Sequence, residues 1–194
     1  MSAVLAKTHY TAEEYLTLER SALTKSEFHD GQIYAMTGAS RKHNLISVNI
    51  AGELRDQFKK RPCEAYLNDM RVKAAEACSY HYPDIVVVCG KPQFEDGQFD
   101  TLTNPTLLIE VLSPSTEAYD RGDKFAHYRK IPSLCEYLLV TQDRPNIERY
   151  VRQKDAWVLS ETQGLEASVH LESIGCLLSL REVYDKALDD GHGI

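Results

Sequence analysis

Three short runs of apolar residues stand out from the more polar sequence around them. They cover residues 84–89, 106–112 and 136–140, and each has the length and composition of a buried strand. Asp84 stands at the start of the first run and Glu110 inside the second. Because a carboxylate is costly to bury among apolar side chains, we expect each acid to have a partner or to bind a metal ion.

Helical periodicity marks two earlier stretches. Thr11 and Glu14 form a capping-box pattern, which predicts a short first helix. Ser40 is suited to cap a longer helix that ends at Pro62. The apolar residues of this second helix recur at every fourth position and form a predicted core stripe: Ile46, Ile50, Leu54 and Phe58.

The remaining elements follow from turn and strand signals. Asp30-Gly31 predicts a β-hairpin turn. Further strands are expected at residues 65–67, 70–73, 147–152 and 157–161, the last two as an antiparallel pair. We expect a helix over 116–130 with Ser115 as its cap and a closing helix over 180–188. Strands and helices in this arrangement predict an α/β or α+β fold with a mixed sheet.

Outside these elements, residues 91–104 are expected to form a loop or a hairpin excursion, and residues 189–194 a loose tail. The 194 residues, 43% of them hydrophobic, are enough for one domain spanning 1–194. No apolar run approaches the roughly 20 residues that span a bilayer, and residues 1–7 lack a secretory layout, so we expect a cytoplasmic protein.

The five cysteines are scattered and odd in number, which argues against a disulfide framework and against a structural zinc site. Cys89 and Cys135 are therefore expected to be small buried apolar residues. The net charge of −7 argues against a protein that grips a long nucleic-acid backbone.

Asp84 and Glu110 are candidates for a shared metal site. Along the strand at 106–112 the side chains alternate, so Leu108, Glu110 and Leu112 point to one face. If Asp84 lies at the end of a neighbouring strand, the two acids and a backbone carbonyl would supply the oxygen ligands that Mg²⁺ prefers.

Asp120, Lys124 and Tyr128 recur at every fourth residue of the helix that follows, so they share a face. By spacing alone, Asp120 and Lys124 form an ordinary surface ion pair. The position of this helix directly after the Glu110 strand, and Tyr128 on the same face, favour a buried lysine instead.

These residues closely resemble the motifs of the Uma2 family, a group of bacterial proteins placed in the PD-(D/E)XK nuclease superfamily with restriction endonucleases. The resemblance covers most of the chain and is carried by Pro83-Asp84, Glu110-Val111-Leu112-Ser113-Pro114-Ser115-Thr116, Asp120, Lys124, Tyr128 and Glu136-Tyr137. It implies a restriction-endonuclease-like mixed central sheet flanked by helices.

The resemblance also implies roles for particular residues. Asp84 and Glu110 would bind Mg²⁺ or Mn²⁺, and Lys124 would be the catalytic cation. The superfamily pattern has a lysine two residues after the acid, where this chain has Leu112. In some branches the lysine has moved to the neighbouring helix, and Lys124 matches that arrangement.

Four residues are candidates for the rim of the site: Glu27, His43, Asp120 and Tyr128. A core histidine is the more ordinary role for His43, because Ile46 and Ile50 share its helix face. For Glu27 the ordinary role is a polar residue on a hairpin.

Two functions stay open from the sequence. One is a metal-dependent endonuclease that hydrolyses DNA phosphodiester bonds, favoured by the two acids and the lysine. The other is an inactive nuclease-fold protein that binds DNA or a protein partner, favoured by the acidic net charge and the lack of a basic arm. A two-fold homodimer is also expected, with residues 147–159 as a candidate pairing edge.

Overall fold

The computed structural model describes residues 9–74 and 79–188, so the sequence predictions for residues 1–7 and for the tail 189–194 lie outside the described residues. The strands are, in chain order, β1 (Ser26–His29), β2 (Gln32–Ala35), β3 (Cys63–Leu67), β4 (Arg71–Ala74), β5 (Ser79–His81), β6 (Ile85–Cys89), β7 (Thr101–Leu102), β8 (Leu107–Val111), β9 (Glu136–Val140), β10 (Asn146–Gln153), β11 (Ala156–Gln163), β12 (Ser168–Leu171) and β13 (Cys176–Ser179). The helices are α1 (Ala12–Ser21), α2 (Arg41–Phe58), α3 (Glu117–Tyr119), α4 (Phe125–Tyr128) and α5 (Leu180–Val183). A π-helical turn, Asp120–Lys124, joins α3 to α4 and is called the π turn below.

A mixed six-stranded sheet forms the centre, with the strand order β11-β10-β9-β8-β6-β3. Strands β8 and β9 are parallel, and the other neighbouring pairs in this sheet are antiparallel. A five-stranded sheet has the order β2-β1-β5-β4-β7, and β12 and β13 form a separate pair. The predicted α+β class with a mixed central sheet is therefore confirmed.

The two faces of the central sheet pack against different partners. On one face, the apolar stripe of α2 packs with α5, β12 and β13 against the odd-numbered residues of β8, namely Leu107, Ile109 and Val111. On the other face, Leu108 and Leu112 pack with residues of β4, β7 and α4. Glu110 lies on this second face, between the two leucines, as the strand alternation predicts.

Several local predictions are confirmed. Thr11 and Glu14 form the capping box of α1, and the Ser40 hydroxyl accepts a hydrogen bond from the His43 N–H at the start of α2. Asp30 and Gly31 both have positive φ, 50° and 75°, as the two-residue turn between β1 and β2 requires. The strands at β3, β4, β6, β8, β9, β10 and β11 were all expected.

Other predictions are wrong in part. The helix expected over 116–130 begins at Glu117 and contains the π turn, and its N-cap is Thr116 without a side-chain cap bond rather than Ser115. The closing helix ends at Val183 instead of 188. Strands β5, β12 and β13 were not predicted. The loop or hairpin excursion expected at 91–104 contains the two-residue strand β7, and Phe94 forms an antiparallel bridge with Leu102. These strands have four residues or fewer, too few for a clear apolar period.

The prediction that Cys89 and Cys135 are small buried apolar residues is also wrong. Cys63 and Cys89 form a disulfide between β3 and β6, where they are directly opposite each other in the register. Cys135 is exposed rather than buried. The spacing of 26 residues concealed this pair because antiparallel pairing, and not proximity along the chain, brings the two sulfur atoms together.

None of the helices in the described parts of the chain is both long and apolar enough to cross a membrane.

Candidate active site

Asp84 and Glu110 lie next to each other across the β6–β8 pair. Ile85 of β6 is opposite Ile109 of β8, so Asp84 and Glu110 occupy the next position of the same register. The Val111 N–H donates a hydrogen bond of 2.7 Å to Oδ2 of Asp84, which ties the aspartate to the end of the Glu110 strand. Two neighbouring strands thus bring the acids to one end of the central sheet.

Lys124 points into the sheet and not into solvent. Its side chain is only 7% exposed, and its Nζ lies 2.9 Å from Oε1 of Glu110. The same Oε1 accepts a hydrogen bond of 3.0 Å from the Tyr128 hydroxyl, one helical turn further on. The surface ion pair that spacing alone favoured is therefore not what forms, although Asp120 Oδ1 does lie 3.6 Å from Nζ.

Glu27 completes the surroundings of the lysine. Its Oε1 lies 3.1 Å from Nζ of Lys124 and also accepts a hydrogen bond from the Tyr82 N–H. Its Oε2 lies 3.2 Å from Nδ1 of His81, which is fully buried in β5. The hairpin glutamate is thus part of the cluster, held there by the pairing of β1 with β5.

His43 contacts the other acid. Its Nε2 lies 3.1 Å from Oδ2 of Asp84, so the first turn of α2 faces the carboxylate end of β6. Ile46 and Ile50 are core residues, as expected from the shared face, but His43 lies at the edge of that core with its side chain 12% exposed.

The structure brings all seven sequence candidates into one connected group: Glu27, His43, Asp84, Glu110, Asp120, Lys124 and Tyr128. Two further residues were missed. His81 holds Glu27, and the Tyr137 hydroxyl donates a hydrogen bond of 3.0 Å to the Asp120 carbonyl oxygen in the π turn. The available signal for His81 was its position three residues before Asp84, but its short strand was not recognised.

Excess negative charge controls the protonation of the cluster. Burial raises the pKa of Glu110 well above its usual range, and the carboxylates of Asp120, Asp84 and Glu27 raise it further against the effect of Lys124. Burial likewise raises the pKa of Asp120. One ammonium group for four carboxylates leaves the cluster short of positive charge.

The pKa values of Glu27 and Lys124 shift in the direction opposite to the one that burial alone would cause. Burial alone would raise the pKa of Glu27, but Lys124, His81 and the Tyr82 N–H outweigh it and lower that pKa. Burial alone would lower the pKa of Lys124, but Glu110 and Glu27 hold that pKa well above its usual range. Lys124 is therefore a permanent cation at neutral pH.

The donor atoms present suit a hard cation such as Mg²⁺ or Mn²⁺. Among residues 9–74 and 79–188, Oδ1 of Asp84 and Oε2 of Glu110 accept no hydrogen bond from protein groups, so each carboxylate keeps an oxygen for a ligand. No group of three or more His, Cys, Asp or Glu side chains in these ranges is arranged to hold a metal. A cation bound by the two acids would therefore complete its shell with backbone carbonyls and water.

Comparison with known proteins identifies the class. The family model for Uma2, described as "Putative restriction endonuclease", matches residues 12–181. The chain belongs to the Uma2 family.

Two curated relatives come from Synechocystis sp. (strain ATCC 27184 / PCC 6803 / Kazusa). The one named "Uncharacterized protein sll1609" is 41% identical over 160 residues, which cover 82% of this chain and 90% of the relative. The one named "Uncharacterized protein slr1290" is 38% identical over 173 residues, 89% of this chain and 90% of the relative.

A solved structure shares the fold. It is described as a putative nuclease belonging to DUF820 from Anabaena variabilis ATCC 29413, and the two chains superpose with a TM-score of 0.76 at 21% identity. The match covers 92% of this chain and 99% of the other. The expected nuclease-like fold is confirmed by this likeness.

Proposed function

We propose that this protein is a divalent-metal-dependent endonuclease that hydrolyses phosphodiester bonds in DNA. Family membership supports a nuclease-like function at the coarse level. The observation that carries the finer proposal is the buried Glu110–Lys124 pair beside Asp84, at one end of the central sheet.

The chain's own residues divide the work. Asp84 is positioned by the Val111 N–H and His43, and Glu110 by Tyr128 and Lys124, so both carboxylates are fixed before any ligand arrives. When bound, Mg²⁺ or Mn²⁺ lowers the pKa of a coordinated water and stabilises charge on a phosphoryl oxygen. Lys124 supplies a fixed positive charge next to the position where negative charge develops on the phosphate.

One observation favours the alternative, an inactive nuclease-fold protein that binds DNA or a protein partner. Lys124 already neutralises Glu110 internally, and Glu27 holds the same ammonium from the other side. These two carboxylates therefore share an ammonium group of the chain itself, without a metal ion. The two functions therefore differ in whether a cation enters the cleft and whether cleavage follows.

The test combines metal binding with cleavage. Calorimetric titration with Mn²⁺ and Mg²⁺ should show binding in wild-type protein and none in Glu110→Gln, which keeps the size of the side chain. Cleavage of plasmid DNA should require the cation and should fall by at least about 10²-fold in the same variant. Glu64→Gln, an exposed glutamate in β3, is the matched control and should change neither result.

Two results would count against the nuclease. Metal binding by the wild type without cleavage of DNA under any divalent cation would favour the binding protein. Cleavage that survives in Glu110→Gln would place the chemistry elsewhere in the molecule.

A further inference from the structure

Another cavity lies outside the cleft, between the end of α4 and the β10–β11 hairpin. Its volume is about 500 Å³, within the range of small-ligand sites. We call it the cation–tryptophan pocket and define it by its lining residues: Phe125, Arg129, Lys130, Tyr150, Arg152, Asp155 and Trp157.

The cations of this pocket lack carboxylate partners. Arg129 and Lys130 are exposed, and neither side chain makes an ion pair or hydrogen bond with the described residues. Within residues 9–74 and 79–188, the Arg152 guanidinium donates only to backbone carbonyl oxygens, those of Leu134, Arg129 and Ile131. Three cations and one acid, Asp155, therefore surround the cavity, in a protein whose net charge is −7.

Cations elsewhere in the described chain commonly have acidic partners. Arg20 binds Asp96 and Asp100, Arg121 binds Glu117 and Glu148, and Arg149 lies against Glu136. Positive charge left unneutralised beside a cavity attracts anions, and it does so against the overall negative field of the protein.

Aromatic rings form the other wall of the pocket. The Arg152 guanidinium lies 4.6 Å from the centroid of the Trp157 ring, and Phe125 meets that ring edge-on at 5.3 Å. These contacts, with the three carbonyl bonds, fix Arg152 in place. A fixed guanidinium, two exposed cations and the partly exposed rings of Tyr150 and Trp157 combine phosphate binding with stacking surface, the combination that proteins use for nucleotides.

The pocket adjoins the cleft through one helical segment. Lys124 and Tyr128 point to Glu110, whereas Phe125 and Arg129, each one residue later, belong to the neighbouring face that lines the pocket. A polynucleotide that crosses this segment can therefore contact the cleft and the pocket together.

We propose that the cation–tryptophan pocket binds a nucleoside phosphate, with Arg129 and Lys130 on the phosphate and Trp157 beside the base or sugar. If the ligand is a nucleotide unit of the DNA substrate, this inference rests on the proposed nuclease function. A free mononucleotide has the same chemistry and does not depend on that function.

Trp157 is the chain's only tryptophan, so its fluorescence reports on this pocket directly. Wild-type protein in EDTA, which prevents metal-dependent cleavage, is titrated with a single-stranded oligonucleotide, with deoxynucleoside monophosphates and with sodium sulfate. We expect a saturable fluorescence change with the oligonucleotide or the nucleotide and none with sulfate.

The variant Arg129→Ala/Lys130→Ala should weaken this binding about tenfold or more. In a plot of the logarithm of the oligonucleotide binding constant against the logarithm of the salt concentration, the steepness should fall by about 1.4, that is 0.7 for each lost phosphate contact. Arg152 is left intact because its carbonyl bonds hold the end of α4. The matched control is Arg55→Ala/Lys60→Ala, which removes one arginine and one lysine from exposed positions on or just after α2, on the other side of the central sheet.

An oligonucleotide response without a mononucleotide response assigns the pocket to the DNA strand, and the reverse assigns it to a free nucleotide. No change in Trp157 fluorescence with either ligand, or equal affinities of the two double variants, would overturn the proposal. The fluorescence assay does not depend on cleavage, so the two proposals can fail separately. Binding at the pocket of a protein that does not cleave DNA would reject only the nuclease. Cleavage by a protein whose Trp157 fluorescence does not change would reject only the pocket.

Discussion

The two faces of strand β8 lie in different environments, one apolar and the other charged. One face presents Leu107, Ile109 and Val111 to the apolar cluster under α2. The other presents Glu110 between Leu108 and Leu112, where it meets Lys124 and Tyr128. The same five-residue strand therefore supports the core on one side and carries the candidate chemistry on the other.

The difference shows how charge is kept inside this protein. Apolar packing stabilises α2 without any need for exact partners, whereas each buried carboxylate on the opposite face needs a donor or a cation to offset its lost hydration. Glu27, Asp120 and Glu110 all lie within 3.6 Å of Lys124. The charged face thus depends on one residue far more than the apolar face does.

Removal of that residue should have the largest effect. We expect Lys124→Ala to slow cleavage by at least about 10²-fold and to lower the free energy of unfolding by about 3–5 kcal/mol, because three carboxylates lose their shared cation. Metal affinity measured by calorimetry should be retained. Lys59→Ala, which breaks an exposed pair with Asp56, should leave the stability nearly unchanged. A Lys124→Ala protein as stable as the wild type would mean that Glu110 is neutral without the lysine.

A pair of substitutions on β8 tests the two faces directly. Ile109→Ala and Leu108→Ala each remove a fully buried side chain and should each cost about 2–5 kcal/mol of unfolding free energy in denaturant titrations. Only Leu108→Ala should also slow cleavage by the folded protein, since Leu108 packs beside Glu110. Equal activity losses in both variants would show that the apolar face also positions the acids.

We expect the pH dependence of the unfolding free energy to report the titration of His81. Burial lowers its pKa from 6.5 to about 4, against the opposing effect of Glu27. Because the unfolded state takes up the proton first, stability present above pH 6.5 is lost as the pH falls toward 4, by on the order of 3 kcal/mol. His81→Asn keeps a donor for Glu27 without titrating, so its acid slope should be shallower. His127→Asn should reduce the acid slope less than His81→Asn does, since His127, whose pKa burial also lowers, is only half-buried. An unchanged slope in His81→Asn would contradict this assignment.

We expect the smallest effect for substitutions at the edge strand that would join two chains in the expected homodimer. Strand β11 is the edge of the central sheet, and Val158 and Leu159 are 44% and 53% exposed there. If this edge pairs two chains, sedimentation at micromolar concentration should show a dimer, and Val158→Lys/Leu159→Lys should raise its dissociation constant about tenfold, which is 1.4 kcal/mol. A monomeric wild type would remove the dimer from consideration.

Much of the fold could be read from the sequence where the period was long enough. The core stripe of α2 and the apolar runs of β6, β8 and β9 were predicted with nearly their observed bounds. The short strands β5, β12 and β13 were missed, as was the π turn, because a short segment takes its conformation from its neighbours rather than from its own pattern.

The candidate site divides in the same way. Asp84, Glu110 and Lys124 could be selected from the sequence because two of them interrupt apolar runs and the third shares a helix face with Tyr128. Spacing along the chain did not show that Lys124 also pairs with Glu27, because only the tertiary structure brings β1 to the π turn.

The sequence by itself determined which residues alternate on β8, which face of α2 is apolar and which acids lie at strand positions, because these properties depend on local periods of two and 3.6 residues. Tertiary structure alone decided that Glu27 reaches Lys124 from a hairpin 97 residues away along the chain, that His81 holds Glu27, and that Cys63 meets Cys89. Those contacts depend on how strands pair and sheets stack, and the pairing is fixed by the burial of the whole core and not by any segment alone.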